Sequence, residues 1–231
     1  MMLLALLISF MALLPGLAFG VGDALTGVTD LQLRGQFFQV KNYSSGVPAM
    51  HAALMANGNV VFLDKVEAYT QLRLPNGHPA CSSVYDPITQ ESRPLSYSTN
   101  AFCAAGAFLP DGRLVALGGN IRIASDPTVT DGYDGIRYLD AMAEQDGWSE
   151  PGNKLASNRW YGTAQTLSNG SVFVASGSIT GEDFNNRSKA NPTFEILDAQ
   201  GRTYGNNMRM DILDDNIPVW MYPVSKIGGQ D

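Results

Sequence analysis

Residues 106–119, GAFLPDGRLVALGG, contain the pattern that decides the fold. A short apolar segment runs into Asp111-Gly112, and a second apolar segment then ends in the pair Gly118-Gly119. An Asp-Gly pair between two apolar segments is a strong β-hairpin signal, and it predicts a type I′ turn with two positive-φ residues. Because the second strand is a continuous apolar run rather than an alternating one, it is expected to be covered on both faces.

The same pattern occurs twice more, in residues 51–64 (HAALMANGNVVFLD) and 163–177 (TAQTLSNGSVFVASG). The turn glycines Gly58, Gly112 and Gly170 lie 54 and 58 residues apart. A period of about 50 residues with four short strands per unit is typical of kelch-type propeller blades. The sequence therefore predicts an all-β partial propeller of three to four blades, with unrelated hairpins of a β-sandwich as the alternative. Further strands are expected at 68–72, 83–86 and 194–197.

The repeat assigns Cys103 and Tyr161 to one position of neighbouring blades. Each lies nine residues before its turn glycine, and each follows an aromatic residue, Phe102 or Trp160. Equivalent positions in a propeller face each other around the axis, so the thiol and the phenol are predicted to be neighbours at the mouth of the central channel. The alternative is that Cys103 is a small buried apolar residue and that Trp160 and Tyr161 only pack.

Composition and charge exclude several classes of protein. With 45% apolar residues the chain can form a packed core, and a net charge of -7 argues against a nucleic-acid partner. Two cysteines without a CxxC motif exclude a structural zinc site of the zinc-finger type. A disulfide between Cys81 and Cys103 remains an alternative use of the two thiols.

The N-terminus and three sequons predict a secreted, extracellular glycoprotein. Residues 1–20 are almost wholly apolar and end in small residues, which predicts a signal peptide, with an uncleaved membrane anchor as the alternative. Sequons for N-glycosylation begin at Asn42, Asn169 and Asn186.

Three motifs resemble those of a known family. FCAAG at 102–106, the hairpin ending in GGN at 118–120, and RWYGT at 159–163 are similar to glyoxal oxidases, which are copper-radical oxidases related to galactose oxidase. The resemblance runs from about Gly46 to Pro223. It implies a seven-bladed propeller, of which this chain would hold part.

The resemblance also implies a cofactor and a reaction. Cys103 and Tyr161 would be joined by a thioether, with Tyr161 as a copper ligand and the carrier of a radical. Phe102 and Trp160 would line the substrate pocket. Small aldehydes such as glyoxal would be oxidised to carboxylic acids by O2, releasing H2O2 that extracellular peroxidases could consume.

Several features of this chain depart from the family pattern. The family's other copper ligands are a second tyrosine and two histidines, with one tyrosine and one histidine adjacent. No Tyr-His pair occurs here; His51 does not match a ligand position, and His78 is expected in an exposed turn. Residues 21–231 are therefore expected to be a truncated N-terminal propeller domain, inactive alone, with a non-catalytic kelch interaction module as the alternative function.

Overall fold

The computed structural model describes residues 44–64, 70–124, 126–142, 147–181 and 187–209. The predicted signal peptide and the sequons at Asn42 and Asn186 lie outside these ranges. Among the described residues, no helix has the length and apolar content needed to cross a membrane. The strands are β1 (Ala49–Leu54), β2 (Val60–Asp64), β3 (Ser82–Asp86), β4 (Glu91–Leu95), β5 (Ala105–Phe108), β6 (Leu114–Leu117), β7 (Ile136–Leu139), β8 (Thr163–Thr166), β9 (Val172–Ala175), β10 (Thr193–Leu197) and β11 (Met208–Arg209).

The strands form three consecutive antiparallel sheets, which we call blades 1 to 3. Blade 1 contains β1 to β4, blade 2 contains β5 to β7, and blade 3 contains β8 to β11, each ordered as in the chain. The predicted all-β partial propeller is confirmed, as are the strands expected at 83–86 and 194–197. The strand expected at 68–72 is wrong for its described part, because residues 70–72 belong to no strand.

Strand β6 places blade 2 between two hydrophobic cores. Leu114 and Ala116 pack in the core shared with blade 1, whereas Val115 and Leu117 pack in the core shared with blade 3. All four residues are buried. The expected two-sided burial is therefore confirmed for β6, because a pleated strand sends alternate side chains to opposite faces.

The first strand of each hairpin is less buried than its apolar sequence suggests. Strand β1 leaves Leu54 67% exposed, and β8 has no fully buried residue. Among the second strands, burial at every residue is found only in β6, which lies between two blades; β2 leaves Val60 and Phe62, and β9 leaves Phe173, partly exposed.

The hairpin turns correct the type I′ prediction. At each one the glycine N–H bonds three residues back, as in Gly112 to Leu109 at 2.9 Å, while Leu109 N–H bonds to Arg113 O at 2.8 Å. Only the glycine has a positive φ, +88° at Gly112, so these are type I turns followed by a glycine bulge. The Asp111 carboxylate accepts the Arg113 N–H at 3.1 Å, which explains the acidic or amide residue before each glycine.

The predicted glycosylation site Asn169 occupies the matching place in the blade 3 turn. It is exposed, and its Oδ1 accepts hydrogen bonds from the backbone N–H and hydroxyl of Ser171 at 3.0 and 2.6 Å. Glycosylation at Asn169 stays a prediction.

Two loops outside the strands meet through a buried carboxylate. His78 Nδ1 lies 2.7 Å from Asp126 Oδ1, and the Asp126 side chain is 1% exposed while that of His78 is 33% exposed. Thr128 donates its N–H to the same oxygen at 3.0 Å. His78 is therefore half-buried and paired, rather than in the freely exposed turn expected from sequence.

Asp126 should make the stability of the protein depend on acid pH. Burial alone would raise its pKa, but the hydrogen bonds from Thr128 and the contact with His78 hold the pKa below its usual value. A lowered folded-state pKa adds stability that is complete above the unfolded pKa of about 3.9 and is lost as pH falls through the folded value. We expect Asp126→Asn to cost about 1–3 kcal/mol at pH 7.

Urea unfolding of wild type and Asp126→Asn between pH 7 and pH 2.5 measures this dependence. The difference in the free energy of unfolding should shrink as pH falls through the lowered folded-state pKa of Asp126, below which both side chains are neutral. A difference that stays constant across this range would show that the Asp126 charge contributes nothing.

Candidate functional site

Cys103 and Tyr161, predicted as neighbours from the repeat, lie side by side along the backbone. The Tyr161 N–H donates a hydrogen bond to the Cys103 carbonyl oxygen at 3.0 Å. Both residues have left-handed backbones, with φ of 58° and 59°. Left-handed geometry is uncommon for residues other than glycine and costs roughly 1–2 kcal/mol, and such strain clusters at functional sites. Equal strain at equivalent repeat positions indicates that the two blades present one constrained site.

The two side chains differ in their access to solvent. Cys103 is 1% exposed, whereas Tyr161 is 39% exposed. The backbone hydrogen bond therefore joins a residue with a buried thiol to a residue with a partly exposed phenol ring. Phenolate oxygen is a suitable ligand for Cu(II), so the donor chemistry of Tyr161 fits copper.

Aromatic rings surround Tyr161. The Trp160 ring lies edge-on to the Tyr161 ring with centroids 4.5 Å apart, and the Phe102 ring lies 6.3 Å from that of Trp160. Trp160 is 5% exposed and Phe102 is half-buried. The structure thus gathers all four residues predicted for the site, and the role of Phe102 and Trp160 in holding a substrate stays a prediction.

The two glycines that follow β6 allow the segment Arg159–Tyr161 to lie directly against blade 2. The Gly119 N–H donates to the Arg159 carbonyl at 3.0 Å, and a Cβ added to Gly118 would lie 2.1 Å from that same oxygen. No side chain fits there. The sequence does not indicate this contact between Gly118-Gly119 and a segment 40 residues later.

Sequence reasoning also missed the buried ion pair of Arg159 and Glu195. Both side chains are 0% exposed, and Arg159 Nη2 lies 3.1 Å from Glu195 Oε1. Burial lowers the pKa of Arg159, and the Glu195 charge opposes that shift. The available signal was a carboxylate within the apolar strand segment Phe194–Leu197, where a solvated charge would be out of place.

The alternative disulfide is wrong. Cys81 and Cys103, which both lie in the described ranges, are not bridged. Cys81 instead packs in the core between blades 1 and 2, where burial raises its pKa to about 12. A thiol with that pKa stays protonated at neutral pH.

Neither histidine joins a recognisable metal cluster. His51 lies on β1 and faces a groove of about 360 Å³ between β1 and β5, and burial lowers its pKa. His78 pairs with Asp126. Over the described part of the chain, no three or more His, Cys, Asp or Glu side chains are grouped as a metal site would require. Among the four residues gathered at the site, Tyr161 carries the oxygen donor suited to copper.

Comparison with known proteins agrees with the resemblance. The family described as glyoxal oxidase N-terminus matches residues 50–209. An aldehyde oxidase of Vitis pseudoreticulata is 32% identical over 152 residues, covering 58% of this chain and 27% of that protein. An aldehyde oxidase of Arabidopsis thaliana is 32% identical over 155 residues, covering 58% of this chain and 23% of that protein.

This chain spans about a quarter of the length of those curated relatives. A solved structure of a fungal alcohol oxidase of the AA5 family, in complex with copper, covers 69% of this chain and 29% of its own, at 18% identity and a TM-score of 0.46. The family match extends over both hairpins that present Cys103 and Tyr161. The chain belongs to the glyoxal oxidase N-terminus family.

Proposed function

We propose that these residues form the N-terminal part of a secreted copper-radical oxidase that oxidises small aldehydes of the glyoxal type. The observation that carries the proposal is the 3.0 Å bond between the strained backbones of Cys103 and Tyr161, in a chain of this family. The overall reaction converts an aldehyde hydrate, R-CH(OH)2, and O2 into R-COOH and H2O2. No described residue favours a substrate of another chemical class.

The proposed cofactor is a thioether between Cys103 and Tyr161. Its formation breaks the S–H bond of Cys103 and the ring C–H bond beside the Tyr161 hydroxyl, and it creates one C–S bond. The two electrons and two protons released pass to O2 and give H2O2. A sulfur substituent makes the ring easier to oxidise, which suits Tyr161 to hold one oxidising equivalent.

Tyr161 is the residue of this chain that would bind copper, through its phenol oxygen. Copper would supply a one-electron redox couple to complement the tyrosine. Tyr161 is 39% exposed, and the buried Trp160 packs against its ring with the ring centroids 4.5 Å apart. Because the family's second tyrosine and two histidines have no counterpart here, we expect the 231 residues alone to be inactive toward aldehydes.

The remaining parts of the proposal concern substrate, location and partners. Phe102 and Trp160 would present apolar surface to a small aldehyde next to Tyr161. Secretion would follow from a signal peptide at residues 1–20, with glycans at Asn42, Asn169 and Asn186. Extracellular peroxidases that consume H2O2 would be natural partners.

Replacing Tyr161 with phenylalanine should abolish oxidation. We expect the kcat of the natural full-length protein, loaded with copper, to fall on the order of a thousandfold or more, because the variant loses the metal-binding oxygen and the oxidisable phenol. The measurement is H2O2 release with glyoxal in air. Tyr204→Phe is the matched control, since Tyr204 is 69% exposed.

Full activity in Tyr161→Phe would overturn the proposal. If the wild-type full-length protein folds without copper and oxidises no aldehyde, the non-catalytic interaction module is indicated instead.

A further inference from the structure

The Arg159–Glu195 pair is the most completely buried charged group beside the proposed cofactor. Arg159 Nε and Nη2 both lie 3.1 Å from Glu195 Oε1. Removing two charges from water costs several kcal/mol per ion unless further hydrogen bonds compensate. The stability of this ion pair therefore depends on the other hydrogen bonds that Arg159 and Glu195 make.

The other donors of Arg159 all reach residues in or directly beside the strands of blade 3. Nη1 donates to the carbonyl oxygens of Ser176 at 3.0 Å and Thr193 at 2.9 Å. Nη2 also donates to Thr193 Oγ1 and to Asn207 Oδ1, each at 3.1 Å. The guanidinium is thus held in one orientation by blade 3.

The second carboxylate oxygen of Glu195 is occupied as well. Oε2 accepts the Ala156 N–H at 2.8 Å and the Thr203 hydroxyl at 3.2 Å. Ala156 lies three residues before Arg159. The Glu195 carboxylate therefore binds the backbone that leads into the Arg159–Tyr161 segment as well as the Arg159 side chain.

The backbone of this segment reaches blade 2 at Arg159 and Tyr161, whereas Trp160 between them exchanges hydrogen bonds with Ser178, after β9, at 2.9 and 2.7 Å. The Arg159 carbonyl accepts from Gly119, and the Tyr161 N–H donates to Cys103. The side chain of Arg159 therefore anchors in blade 3 while its main chain binds blade 2. Tyr161, with its strained backbone, lies two residues after Arg159, so the position of its ring depends in part on how Arg159 is held.

Blade 2 contains a buried arginine that serves as an internal comparison. Arg137 Nη1 donates to the Gly118 carbonyl at 2.7 Å, as Arg159 Nη1 does to Ser176, and Gly118 and Ser176 each lie six residues after their turn glycine. Arg137 occupies the repeat position of Glu195, 25 residues after the turn glycine. It reaches its carbonyl from β7, not from the segment that carries Tyr161.

We propose that Arg159 and Glu195 are positioning residues that set the Tyr161 ring against the Cys103 sulfur for thioether formation. This inference rests on the proposed function. The pair touches neither substrate nor metal; it fixes the path of the three residues that end in Tyr161.

The test measures how fast the thioether forms in variants of the pair. Copper-free full-length protein is mixed with copper in air, and the fraction of peptide carrying a Cys103–Tyr161 bond is followed by mass spectrometry. Glu195→Gln keeps the side-chain volume but removes the charge. We expect the rate to fall about tenfold to a hundredfold, as small misplacements of reacting groups do.

Ser82→Ala is the control, because the buried Ser82 hydroxyl of blade 1 donates to the Phe62 carbonyl at 2.8 Å and accepts from Trp148 Nε1 at 3.0 Å; all variants are assayed at one temperature at which each is folded. Ser82→Ala should lose stability yet form the bond at the wild-type rate. Thr193→Val, which removes only one acceptor of Arg159, is the variant to use if Glu195→Gln does not fold, and it should slow bond formation about two- to fivefold, since one hydrogen bond is worth about 1 kcal/mol or less.

The outcomes separate the two proposals. A wild-type protein that never forms the bond overturns both. Wild-type formation with an unchanged rate in Glu195→Gln and Thr193→Val overturns only the positioning role, as does an equal slowing in Ser82→Ala. Slow formation confined to the Arg159–Glu195 variants supports it.

Discussion

Gly118→Ala should destabilise the protein by about 2–5 kcal/mol, because two costs add at this position. The residue has a φ of +77°, which disfavours any side chain. In addition, the new Cβ would lie 2.1 Å from the Arg159 carbonyl oxygen, which is backbone and cannot rotate away. The strand end of blade 2 or the Arg159–Tyr161 segment must move.

Gly112→Ala is the control that isolates the second cost. Gly112 has a similar φ of +88°, but no atom lies within 4 Å of an added Cβ. It should lose only about 1–2 kcal/mol. Urea unfolding measures both values, and equal losses would show that the close approach of the two blades at Gly118 is not a real constraint.

Arg137→Met should be comparably damaging, at about 3–5 kcal/mol. The guanidinium is fully buried and donates to the carbonyl oxygens of Thr99 at 2.9 Å, Gly118 at 2.7 Å and Gly132 at 3.3 Å. Methionine fills the space but leaves these three acceptors without that donor. Each buried unsatisfied group costs about 1–3 kcal/mol.

Arg202, an arginine on the surface, provides the control substitution for Arg137→Met. The Arg202 side chain is 62% exposed and pairs with Asp198 at 2.7 Å. Arg202→Met should leave the melting temperature unchanged within error, because exposed ion pairs contribute little. If both substitutions lowered the melting temperature equally, the buried network of blade 2 would have no special role.

The sequence predicted the blades because each hairpin turn needs a residue with positive φ, which glycine adopts most easily. Gly58, Gly112 and Gly170 each supply the positive φ that ends a type I turn, so their spacing reports the repeat directly. The turn type itself was wrong. Asn-Gly and Asp-Gly pairs suit both kinds of turn, and the hydrogen bond that closes the loop depends on strand register, which local sequence does not reveal.

The site was predictable in part for the same reason. Counting back from two turn glycines placed Cys103 beside Tyr161 without any structural information. The buried charges were not predictable, since Arg159 and Glu195 lie 36 residues apart and Arg137 binds backbone carbonyls. Every residue has a backbone carbonyl, so the sequence does not show which carbonyls an arginine binds. An arginine that donates to three buried carbonyls therefore cannot be told from a surface arginine by sequence.

Peptide mapping of the full-length protein, prepared with copper in air, tests the central claim most directly. We predict a single cross-linked peptide pair containing Cys103 and Tyr161 that survives reduction by thiols, with a mass about 2 Da below the sum of the two separate peptides, because forming one C–S bond removes two hydrogens. Separate, unmodified Cys103 and Tyr161 peptides, or a reducible link between Cys103 and Cys81, would contradict it.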